Sequence, residues 1–277
     1  MLPIRMCGVA AAVGLFLCVG GHVGVSAQAP VSAVPDFSGV YYPVNAGGGG
    51  RGRGAGAPPP GQAAAAPAPA PAARGALPPP TRSAPTSDGS QGRNPDAPKL
   101  RPDYMAKWEV MRKSRMSGSY EYDNSAKCLP PGMPAMMAMA YGMEVMQSKD
   151  RITFFSELND AMRRVYLDGR KPTPAILDDP TYAGYSTGHW EGDTLVVETV
   201  ALSTNSYVDG FTPHSDEMKV AERIRLVEPM LLEDRITVTD PKAFTEPWSI
   251  VRRYRKAAPP NDQLREFACA EGLSREK

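Results

Sequence analysis

The chain has 277 residues and a formal net charge of +1. A balance this close to neutral argues against nucleic acid and against any strongly charged partner. Only His189 and His214 lie beyond the N-terminal His22, so a three-histidine metal site is excluded there.

The N-terminus reads as an address. Arg5 precedes an apolar, Gly-containing run over residues 6 to 20, and Val25-Ser26-Ala27 is a small-residue cleavage site. Residues 1–27 are therefore expected to be a signal peptide. The mature protein should be soluble, periplasmic or secreted, and without a membrane span. Of four cysteines, Cys7 and Cys18 leave with that segment. Cys128 and Cys269 remain where disulfides persist, and are expected to pair. So long a loop gives about 4–5 kcal/mol in the chain-entropy picture.

Residues 28–45 hold a first strand region, from Asp36 to Tyr42, rich in aromatic and β-branched residues. Residues 46–98 collapse to Gly, Ala, Pro, Ser and Arg. Such a stretch cannot offset its ordering entropy and is expected to be a disordered spacer. Residues 99–277 form the body. Pro102 and Asp103 suit a helix start, Tyr104, Trp108 and Met111 share one face, and Gly118 stops the helix. It should pack on a sheet or close a barrel end.

A rigid Cys128–Pro134 loop leads into Met136, Met137, Met139, Met143 and Met146. Thioethers here suit packing or an adaptable pocket, with a soft-metal site as the rival. Strands are then expected at Tyr141–Ser148, Arg151–Glu157, Arg163–Asp168, Tyr185–Trp190, Thr194–Ala201, Lys219–Val227, Leu231–Thr239, Trp248–Lys256 and Leu264–Cys269. Short strands with short connections and no βαβ alternation give an all-β fold with one short helix. The expected form is an antiparallel up-and-down, lipocalin-like barrel, since closure removes exposed edges; a sandwich is the alternative.

Alternation assigns faces. Glu222 shares one with Val220, Ile224 and Leu226; Asp234 shares one with Leu232, Ile236 and Val238; Glu198 shares one with Val196 and Val200. If these point inward, each strand buries a carboxylate, which needs a partner or a ligand. Arg164, on a strand with Tyr166, is the candidate partner. His214 lies in a Gly-Pro loop and could act as a base with Glu222. No phosphate loop, GxSxG elbow or CxxC pair is present, and no cofactor or metal is expected.

The motif series resembles an uncharacterised family of secreted bacterial proteins, common in soil bacteria. It is carried by Asp36-Phe37-Ser38-Gly39, the Cys128–Pro134 loop, Arg164–Arg170, Gly188–Thr199 with its Trp190-Glu191-Gly192-Asp193-Thr194 core, His214-Ser215-Asp216, Glu222-Arg223, Asp240-Pro241, Pro247-Trp248 and Glu266–Cys269. The resemblance implies one domain and carries over no catalytic residue. The chain departs from it in the 46–98 insertion and at Tyr41, where the family shows Trp.

Three functions are open at this point. One is a barrel that binds a small, largely apolar molecule inside, lined by Met143, Val145, Arg164, Tyr166, Val196, Glu198 and Ile224. A second is a cofactor-free acid-base enzyme using His214, Glu222 and Asp234. The third is an envelope structural or interaction protein.

Overall fold

The computed structural model describes residues 34–44, 93–138 and 141–269. The expected signal peptide, residues 46–92 of the expected spacer, and Met139 lie outside them. Among the described residues, nine strands form a closed barrel in chain order. They are β1 (Gly39–Pro43), β2 (Met143–Gln147), β3 (Arg151–Ser156), β4 (Met162–Tyr166), β5 (Tyr185–Glu191), β6 (Thr194–Val200), β7 (Lys219–Glu228), β8 (Leu231–Thr239) and β9 (Trp248–Lys256). The expected barrel is therefore what the chain builds, and the sandwich is not. β1 pairs with β9, so no edge strand is left for another segment to join. That is why Leu264–Cys269, expected as a last strand, runs as irregular chain.

An odd number of strands has a geometric consequence. Consecutive strands cannot alternate direction all the way round a ring of nine, so one neighbouring pair must run parallel. It is β4 with β5, joined only at Val165↔Ser186 and Tyr166↔Thr187. A parallel junction needs a crossover of a dozen residues or more, and residues 167–184 provide it. Within it lies the short helix α3 (Pro174–Leu177), capped by the Thr173 side chain. At the far end of β5, the Gly192-Asp193 turn joins β6. Gly192 takes φ 63°, a conformation that costs glycine nothing.

Helix α1 (Pro102–Met116) starts at Pro102 and buries Trp108 and Met111, as the spacing predicts. Trp108 meets Phe211 of the 201–218 loop edge-on, with ring centroids 6.3 Å apart. The short helix α2 (Ala135–Ala138) is also largely buried. Met133, Met136, Met137 and Met143 belong to the hydrophobic core, which favours packing for these residues; Met146 is exposed. Cys128 and Cys269 are joined as a disulfide across 141 residues.

The inward faces need two corrections. On β6, Leu195, Val197 and Thr199 are buried, while Val196 is half-buried and Glu198 exposed. Both faces of this strand carry apolar residues, and the charge of Glu198 decides which turns outward. On β4, Arg163 and Val165 are buried, while Arg164 is exposed and Tyr166 half-buried. The two adjacent arginines differ in what awaits them: only Arg163 faces a carboxylate inside the barrel. Strands β7 and β8 point as expected, burying Glu222, Ile224 and Asp234, and Met143 and Val145 face inward from β2.

Candidate functional site

The barrel interior holds a charged cluster in an otherwise apolar core. Arg163 is 1% exposed, Glu222 1% and Asp234 0%. Arg163 Nη1 donates to Glu222 Oε1 at 2.8 Å, and its Nη2 donates to Oε2. Its Nε donates to Ser186 Oγ at 3.1 Å, and Nη2 also to Thr199 Oγ1 at 3.0 Å. The two hydroxyls lie 2.8 Å apart. The guanidinium sits over the Phe154 ring, 5.7 Å from its centroid. One cation is thus held by four strands, β4, β5, β6 and β7, across the sparse parallel junction. Such a bidentate fork satisfies charge that burial would otherwise make very costly.

Asp234 lies beside this pair on β8. Burial first, and then the negative charge of Glu222, push its carboxyl well above the usual carboxylate range; Arg163 opposes the shift. Neither oxygen accepts a hydrogen bond among the described residues. With both carboxyls ionised they could not bond to each other. Burial and the nearby negative charge of Glu222 thus both favour the neutral carboxyl of Asp234.

His214 belongs elsewhere. It is 3% exposed in the 201–218 loop. Its Nδ1 lies 2.8 Å from the Ser215 carbonyl, which can only accept, so Nδ1 carries the proton. Its Nε2 lies 3.0 Å from Ser206 Oγ. Burial holds its pKa below the ordinary value, against the pull of the Ser215 carbonyl. Ser215 donates from N and from Oγ to Asp240, both at 2.6 Å. Asp240 also accepts from the amides of Lys242 and Ala243. The His214-Ser215-Asp216 and Asp240-Pro241 motifs thus join two loops at one rim. Glu222 is not among the hydrogen-bond partners of His214, so the expected acid-base pair does not form.

Two prominent cavities lie against the outer wall, on either side of the 167–184 crossover. The larger, of about 900 Å³, is a cleft at the rim where β6 ends and β7 begins. Its lining is mixed: Leu177, Val200, Met218, Pro241 and Phe244 are apolar, while Arg101, Asp216, Glu217, Lys219, Asp240 and Glu246 bring charge to the same cleft. The smaller, of about 380 Å³, is floored by Met162, Arg164 and Tyr166, the outward residues of β4. Arg164 and Tyr166, chosen from the sequence as interior lining, therefore line a groove on the outside. Met143, Val145 and Ile224 face inward but are closely packed core residues, 3%, 1% and 0% exposed.

Sequence reasoning missed Arg163, Ser186 and Thr199. The signal for Arg163 was Val165, a β-branched residue two positions on and so on the same face. Among the described residues, no group of three or more His, Cys, Asp or Glu is placed to hold a metal ion. No helix there is long and apolar enough to cross a membrane.

No family model matches the chain, and no curated protein matches it. Among solved structures it is similar to the fluorescent protein UnaG. For the wild type, identity is 17%, coverage 49% of this chain and 88% of that one, and TM-score 0.26. A point mutant of UnaG matches at 15% identity over 50% and 88% of the two chains, with TM-score 0.26.

Proposed function

We propose that this protein binds a small, largely apolar molecule outside the cytoplasm, and that it holds the molecule in the rim cleft and not within the barrel. The cleft carries the reading. Its volume of about 900 Å³ suits a drug-sized ligand, and Leu177, Val200, Met218, Pro241 and Phe244 supply an apolar side that the charged residues of the same lining border. The interior offers less, because Phe154, Leu195, Val197, Ile224 and Leu232 are completely buried among their neighbours around the Arg163–Glu222 pair. The Cys128–Cys269 disulfide supports an oxidising compartment.

Titration with N-phenylnaphthylamine, a neutral apolar fluorophore that brightens out of water, tests this reading. Wild-type protein should give saturable one-to-one binding. Leu177 lines the cleft and is 49% exposed, so Leu177→Asp should leave folding intact and weaken binding about tenfold or more. Absence of saturable binding, or unchanged affinity in Leu177→Asp, would contradict the reading.

A further inference from the structure

The smaller groove combines features that no structural role in the barrel uses. Arg164, on the outer face of β4, has no hydrogen-bond or ion-pair partner among the described residues. Asp160 lines the same groove and also has none there. The two opposite charges do not pair with each other. Tyr166 and Tyr185 also line the groove, with ring centroids 5.3 Å apart and planes 30° apart. Arg170 lies 4.2 Å from the Tyr166 ring centroid and is anchored to Asp168, which stiffens this aromatic wall.

We infer that the groove is a second binding site, for a free α-amino acid with an aromatic side chain. The two unpaired charges and the paired rings each find a complement in that one class of ligand. The ligand ammonium supplies donors to the Asp160 carboxylate. The ligand carboxylate matches the planar guanidinium of Arg164. The ligand ring packs on the Tyr166–Tyr185 wall. A volume of about 380 Å³ is ample for a molecule of this size. The cation and the anion stand on different elements, Arg164 on β4 and Asp160 in the turn before it. A zwitterion can therefore engage both, where a simple acid or amine engages only one.

Calorimetry on the intact protein tests the inference, with L-phenylalanine as the probe and phenylpropanoate and phenylethylamine as the molecules lacking one charge. L-phenylalanine should bind about tenfold more tightly than either. Arg164→Met should remove its advantage over phenylethylamine, and Asp160→Asn its advantage over phenylpropanoate. Both residues are at the surface, and asparagine tolerates the φ of 47° at position 160. N-phenylnaphthylamine binding at the rim cleft should be unchanged by L-phenylalanine and by both variants, so the two sites stand or fall separately. No binding of L-phenylalanine, no preference over the two part-molecules, or unchanged affinity in Arg164→Met would overturn the inference.

Discussion

Arg163 on β4 grips both carboxylate oxygens of Glu222 on β7 inside the barrel, with neither side chain more than 1% exposed. These strands are not neighbours. The pair spans β5 and β6, and Ser186 and Thr199 from those two strands complete the ring around the guanidinium. Only two register pairs join β4 to β5, so this contact is a principal tie across the parallel junction.

Removing one partner should therefore be far worse than removing both. Arg163→Met leaves Glu222 buried without its counter-charge, and Glu222→Met leaves the guanidinium so. Each should cost about 3–5 kcal/mol. The double variant Arg163→Met with Glu222→Met should recover much of that loss, because an apolar pair of similar volume avoids the desolvation cost. Urea unfolding of the single and double variants measures the coupling.

Asp234 should give the protein an unusual pH dependence. Its folded-state pKa is raised above the ordinary 3.8, so the folded chain keeps a proton that the unfolded chain has lost. The linked stability is complete below 3.8 and is lost as pH rises through the folded-state value. Asp234→Asn mimics the protonated form and should flatten this decline. Unfolding midpoints of both proteins across that range check it.

His214 has the opposite sign. Its folded-state pKa lies below the ordinary 6.5, so folding favours the neutral ring. The linked stability is complete above 6.5 and is lost as pH falls from there through the folded-state value. His214→Gln should remove this step while leaving the Asp234-linked decline in place. The same unfolding series on this variant separates the two groups.

Tyr41 offers a gain in stability. It is fully buried, and its hydroxyl has no hydrogen-bond partner among the described residues. Burial, and then the charge of Asp36, push its pKa up to about 12. Tyr41→Phe deletes only the unsatisfied oxygen and should stabilise the fold by about 1 kcal/mol. A raised urea midpoint with an unchanged slope is the expected result.

The sequence makes some of this legible and hides the rest for identifiable reasons. Glu222 and Asp234 can be placed inside because each has apolar residues two positions either side on its strand, although β8 also buries Leu231 and Glu233 on its other face. Glu198 misleads because Leu195 and Val197 are as apolar as Val196 and Val200, so alternation alone has no preference. Arg163 and Arg164 are adjacent on one strand, and only the three-dimensional position of Glu222 distinguishes them. The parallel junction follows from an odd strand count, which a false last strand at Leu264–Cys269 conceals. The rim cleft leaves no local pattern at all. Leu177, Val200, Met218 and Phe244 come from four separate segments, and only barrel closure brings them together.

Crystallography with a bound, brominated apolar ligand tests the placement of the ligand most directly, because bromine marks its own position by anomalous scattering. The expected result is a single peak in the rim cleft against Leu177, Val200 and Phe244, with the Arg163–Glu222 pair undisturbed. A peak inside the barrel, or a ligand-free cleft at saturating concentration, would contradict it.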